Sequence, residues 1–226
     1  MSNWIDEIPE SDRATYTRGG FGERQQVRTK VALLVIDVTY GFTGEAEQTL
    51  EEAIEKYVTA CGPIAWCAVP KIKSIIDFFR TLDNSVMYTR SSPEDTPFSG
   101  RATKSKNLSM SISQHDNSFP ELIEPKAGDW IVEKTKASAF FETPLLSGLR
   151  KQKIDTLFVC GVSTSGCVRA TVVDGFSHGF DIFVIDDCCF DRSNYAHCAN
   201  LFDMDAKYAT VISHKEAIDL LEVRQV

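Results

Sequence analysis

Basic residues are in the minority in this chain of 226 residues: 24 Lys and Arg face 32 Asp and Glu, a formal net charge of -8. A phosphate backbone or an anionic membrane surface needs a positive face, so neither nucleic acid nor membrane is an expected partner. An anionic ligand would have to be met by a local Arg or Lys. Long apolar runs are also missing. None approaches the roughly 18 residues that cross a bilayer, and the opening MSNWIDEIPESDR is acidic, without the apolar core of a secretion signal. The seven cysteines (61, 67, 160, 167, 188, 189 and 198) are odd in number and never take the CxxC spacing. That argues against a disulfide framework and for a reducing compartment, so the expected location is cytoplasmic.

What is present is ample core material: 43% of residues are hydrophobic and 10% aromatic, enough for one large core in a chain too short for two comfortable α/β domains. Residues 1–29 are polar, with Gly19, Gly20 and Gly22 close together, and read as an N-terminal arm. Residues 30–226 read as a single domain. The runs VALLVI (31–36), SVMYT (85–89), WIVE (130–133), TLFVC (156–160), FDIFVI (180–185) and YATVI (208–212) predict buried strands. Helical periods lie between and after them at 63–82, 143–152, 168–179, 193–207 and 214–222. Strands alternating with helices predict βαβ units, hence an α/β fold of three layers, α/β/α, around a mostly parallel six-stranded sheet. The polar stretch 90–128 is punctuated by Pro93, Pro97, Gly100, Pro120 and Pro125 and lacks periodicity, as a binding loop or lid does.

Chemistry concentrates at three strand ends. Cys167 closes GVSTSGC, a tight small-residue turn between an apolar strand and a helical stretch. The first turn of a helix offers free N–H groups and a positive dipole end, which favour a thiolate and also suit an oxyanion. Asp37 ends VALLVID and Lys134 ends WIVEK. A charge that terminates an apolar strand is costly to bury unless it is paired or used, so the economical arrangement brings Asp37, Lys134 and Cys167 together. Lys134 then holds the thiolate and orients Asp37, Asp37 carries the proton, and the N–H groups of Cys167 and of Ser163 or Thr164 receive the oxyanion. No cofactor or metal is needed.

The three blocks VALLVID, IVEKTKASAFF and CGVSTSGCVRAT resemble the catalytic blocks of the isochorismatase-like cysteine hydrolases, from about residue 15 onward. The resemblance implies an Asp37, Lys134, Cys167 triad, a Rossmann-like fold, a cis peptide at Val162 to Ser163, and a homotetramer. The retained cysteine departs from the isochorismatases proper. The lack of a histidine soon after Asp37, the first being His115, departs from the nicotinamidases. The segment DDCCFDRSNYAHCANLFDM (186–204) and the arm YTRGGFGER most resemble the N-carbamoylsarcosine amidases and maleamate amidohydrolases. That likeness implies Arg192 as the anchor of a substrate carboxylate, and a small acid bearing a terminal amide or carbamoyl group as substrate. A bidentate guanidinium would supply the positive charge the surface lacks.

Blander readings compete. Phe42, Thr89 and Arg90 follow strand ends and are candidates to line the pocket. Lys136 competes with Lys134 but lacks its spacing before SAFF. Arg192 could simply pair with Asp187 or Asp191. Cys160 reads as inert core, and Cys188, Cys189, His197 and Cys198 lack metal spacing. A serine hydrolase built on Ser163, Asp187 and His197 or His214 has the right chain order, yet Ser165 stands where a nucleophile elbow needs Gly. A catalytically silent protein of the same fold is the remaining alternative.

Overall fold

A computed structural model describes residues 4–92 and 115–223. The β-branched and aromatic runs form β1 (Val31–Ile36), β2 (Ser85–Ser91), β3 (Trp130–Lys134), β4 (Thr156–Val162), β5 (Asp181–Phe190) and β6 (Thr210–Ile212). They make one sheet in the order β3-β2-β1-β4-β5-β6, and every pairing is parallel. β1 and β4 are buried along their whole length, because a parallel sheet is covered on both faces and every side chain meets a helix layer.

Helices α1 (Glu10–Arg18), α2 (Tyr40–Thr43), α3 (Leu50–Lys56), α4 (Pro63–Thr81), α5 (Leu145–Lys151), α6 (Arg169–Ser177), α7 (Asn194–Lys207) and α8 (His214–Glu222) complete the described residues, with short 3-10 turns between some of them. α4 packs with α8, and α6 with α7; α4, α6 and α8 all contact β5. In α4 the buried side chains Ala65, Ala68, Val69, Ile72, Ile75, Ile76 and Phe79 recur at helical spacing, so one stripe faces the sheet. None of these helices is long and apolar enough to cross a membrane.

The differences from the sequence reading have local causes. WIVE was expected as a buried strand, but β3 is the sheet edge, and Trp130 and Ile131 are 38% and 43% exposed because no strand lies beyond them. β5 runs on to Phe190, past the acidic pair that interrupts its apolar pattern; a register shift opposite Val159 and Gly161 lets Asp186 and Asp187 sit at the irregularity. α1, α2 and α3 were not expected. α3 did carry a readable signal, since Thr49 and Glu52 form a reciprocal capping box at its start. The polar segment before β1 lies along the sheet: the N–H groups of Gln25 and Arg28 donate to the hydroxyls of Thr210 and Thr156 at 2.8 and 2.9 Å. Of the loop expected at 90–128, residues 93–114 lie outside the described residues.

The order of strands turns back between β1 and β4: chain connections run outward to β2 and β3 on one side, and to β5 and β6 on the other. Such a switch opens a crevice at the carboxyl ends of the two central strands. Asp37 follows β1, and the turn to Cys167 follows β4.

Candidate active site

Asp37 takes a left-handed backbone, φ 53°, directly after β1, a conformation non-glycine residues seldom hold without tertiary support. Support comes from β2. The Thr89 hydroxyl donates to Asp37 Oδ1 at 2.6 Å and accepts the Asp37 N–H at 3.1 Å. The other carboxylate oxygen, Oδ2, lies 2.6 Å from Lys134 Nζ. Lys134 ends β3, beyond β2, and its side chain crosses to reach Asp37; the two residues are 6% and 1% exposed. Lys134 Nζ also donates to the Lys136 carbonyl at 3.1 Å and lies 3.5 Å from Cys167 Sγ. Burial alone would lower the Lys134 pKa, but Asp37 and then Cys167 outweigh it and raise it, so the ammonium persists.

The chain reaches Cys167 through a cis peptide at Val162–Ser163 and one π-helical turn, Thr164–Val168, which leads into α6. Sequence reasoning placed the thiol in the first turn of an α-helix; the wider turn replaces it, with the Val168 N–H reaching back five residues to the Ser163 carbonyl at 3.2 Å. The thiol is half-buried. Burial first, and Asp37 second, push its pKa up to about 12 against the pull of Lys134. Burial and the Asp37 charge thus favour the thiol, while Lys134 favours the thiolate expected from the sequence.

The N–H groups of this turn are unequally engaged. Those of Gly166 and Val168 donate to the Ser163 carbonyl. Ser165 gives both its N–H (2.9 Å) and its hydroxyl (2.6 Å) to Asp191 Oδ2. Thr164 Oγ1 lies 2.8 Å from His197 Nδ1, and burial lowers the His197 pKa despite Asp191, which favours the neutral ring. The sequence reading weighed His197 only as a base for Ser163 and Asp191 only as a partner of Arg192; neither was expected to hold this turn.

The remaining candidates separate. Thr89, expected among pocket-lining residues, is fully buried and spent on Asp37. Arg90, one residue on, points away from it as alternation along a strand requires, and pairs with Glu133 of β3 at 2.6 Å. Phe42 is half-buried against the core in α2. The Arg192 guanidinium donates to the Thr59 carbonyl and, among the described residues, makes no ion pair. Thr59 in turn bonds Gly41 through its hydroxyl, and the Cys61 N–H donates to Phe42, so Arg192 borders the segment that follows Asp37. Asp187 instead holds His214 at 2.6 Å and Lys71 at 3.1 Å. The serine constellation is thus divided: His214 with Asp187 on one side, His197 with Thr164 on the other, and neither is bonded to Ser163. Cys160, Cys188 and Cys189 are buried, with pKa values that burial raises. Among the described residues no group of three or more His, Cys, Asp or Glu could hold a metal ion.

Comparison with known proteins agrees with this architecture. The sequence profile of the isochorismatase domain matches residues 31–216. The chain is 34% identical over 216 residues to a maleamate amidohydrolase of Pseudomonas putida, covering 94% of this chain and 96% of that protein. It is 26% identical to an N-carbamoylsarcosine amidase of an Arthrobacter species, covering 96% and 81%. The crystal structure of N-carbamoylsarcosine amidase from Thermoplasma acidophilum superposes with a TM-score of 0.63 at 27% identity, covering 82% of this chain and 97% of that one. With the sheet order, the three strand-end residues and these matches together, the chain belongs to the isochorismatase family.

Proposed function

We propose that the protein is a cysteine-dependent amidohydrolase that releases ammonia from the terminal amide or carbamoyl group of a small carboxylic acid. The observation that carries the proposal is the buried contact of Lys134 with both Asp37 (2.6 Å) and Cys167 (3.5 Å) at the sheet's switch point. As the Cys167 sulfur forms its bond to the amide carbon, its proton passes to Asp37, and the carbonyl oxygen takes the negative charge. With Ser165, Gly166 and Val168 already engaged, the N–H groups of Cys167 and of Ser163 or Thr164 are the donors for that oxygen. Collapse of the tetrahedral intermediate breaks the C–N bond, and Asp37 returns the proton to the departing nitrogen. Water then attacks the thioester, Asp37 takes one of its protons, and the acid leaves as the thiol reforms. Lys134, 2.6 Å from Asp37 Oδ2, holds that carboxyl group in place between transfers.

Arg192 is the anchor for the substrate carboxylate. Among the described residues its charge is met only by a neutral carbonyl, and it borders the segments that carry Asp37 and Cys167. The maleamate and carbamoylsarcosine enzymes named among the relatives support an acid of this size. Residues 30–226 act as one catalytic domain with 1–29 as an arm, in a cytoplasmic homotetramer. Ammonia release from a panel of carbamoyl and carboxamide acids tests the function. Turnover of at least one member is expected, with loss of about 10³-fold or more in Cys167→Ala and iodoacetamide labelling at Cys167. A panel without turnover, or labelling that spares Cys167, would overturn it.

A further inference from the structure

An oxyanion cradle made of backbone N–H groups works only while its peptide planes are held; a plane that turns presents its carbonyl to the developing charge instead. Two adjacent residues of the turn, Thr164 and Ser165, are tied by side chains of a single segment, residues 191–197. Asp191 is 6% exposed and, among the described residues, forms no ion pair. A carboxylate buried in that way is costly, and hydrogen bonds have to compensate. It accepts both Ser165 donors on Oδ2 and the Arg192 N–H on Oδ1 at 2.9 Å. The His197 ring, whose pKa burial lowers, lies 2.8 Å from the Thr164 hydroxyl.

We propose that Asp191 and His197 are positioning residues that lock the peptide planes of the oxyanion cradle and fix its distance from Arg192. Because Asp191 holds the turn on one oxygen and the Arg192 backbone on the other, carboxylate anchor and cradle are set through one side chain. The span between them then selects the length of the acid. The inference rests on the amidohydrolase reading and adds to it two residues that touch no reacting atom.

Four variants and three readouts test it. In Asp191→Ala and His197→Leu, kcat on a carboxylate-bearing amide falls roughly 10- to 100-fold while KM changes less than about threefold. Asp191→Asn and His197→Asn, which keep an acceptor at the same place, restore most of it. Alkylation of Cys167 by iodoacetamide forms the S–C bond, expels iodide and gives up the thiol proton without an oxyanion, so its rate stays at the wild-type value in all four. Addition of the Cys167 thiol to the aldehyde of 4-oxobutanoate forms a hemithioacetal whose oxygen takes the charge and then the proton. Its affinity falls in step with kcat. Wild-type kcat and aldehyde affinity in the Ala and Leu variants would overturn the proposal, as would an alkylation rate that falls with kcat. A wild-type protein that turns over no amide, but whose aldehyde capture still weakens in those two variants with alkylation intact, would sink the amidohydrolase reading and leave the positioning roles standing.

Discussion

At the scale of the residue, the site is governed by one buried ion pair. Lys134 and Asp37 are 4% and 2% exposed in their side chains, so neither charge is stabilised by solvent and each depends on the other. Removal of one partner strands the other. Lys134→Met should cost roughly 3 kcal/mol of stability by leaving a buried carboxylate uncompensated, whereas the double variant Lys134→Met with Asp37→Leu should cost less than Lys134→Met alone. Urea unfolding of wild type, both single variants and the double variant measures this; additive losses would mean that the pair is not coupled. The same residue scale shows the limit of sequence reasoning. Asp37 and Lys134 stood out because a charge ends each apolar run, and Cys167 because it closes a small-residue turn after one. Thr89, Asp191 and His197 gave no such signal, since a threonine in a strand and an Asp-Arg pair before a helix are ordinary there, and their partners lie 52, 26 and 33 residues away.

At the scale of the element, the close approach of β1 and β4 sets how the nucleophile turn begins. Gly161 has φ +117°, and a Cβ there would overlap the Ile36 carbonyl oxygen, one residue before Asp37. Only glycine accepts that backbone and that contact. Gly161→Ala should therefore destabilise the protein by about 3 kcal/mol or more and lower the amount of folded protein recovered, as thermal unfolding would report. A variant as stable as wild type would show that the two strands can part without cost. The strand pattern itself was legible from Val, Ile and Phe runs. The edge position of β3 was not, because an edge strand and a central strand can carry the same local sequence.

At the scale of the whole molecule, charge and pH enter through a cluster beneath β5. Asp187, held by His214 and Lys71, titrates below the usual carboxylate range, although burial opposes this. Its neighbour Asp186 goes the other way: burial first, then the charges of Asp187 and Glu216, raise its pKa from 3.8 to about 6, against the pull of Lys71. A carboxyl whose folded pKa lies above its unfolded value binds its proton more tightly when folded. Its contribution is fully present below pH 3.8 and is lost as pH rises through about 6. Asp186→Asn, which keeps the acceptor for the Asp187 N–H, should thus gain about 1–2 kcal/mol over wild type between pH 4 and pH 7. Chemical denaturation across that range measures the gap; a gap that does not change with pH would remove Asp186 as its source.

The linear sequence determined which segments become strands, that the sheet is mostly parallel, and which residues end a strand or close the turn after one with chemistry to spare, because hydrophobic periodicity and the cost of a stranded charge act locally. Only the tertiary structure decided that Lys134 reaches past β2 to Asp37, that burial and Asp37 raise the pKa of the thiol, and that Asp191 and His197 grip the turn. Those outcomes depend on desolvation and on distances between residues far apart in the chain, which no local pattern encodes.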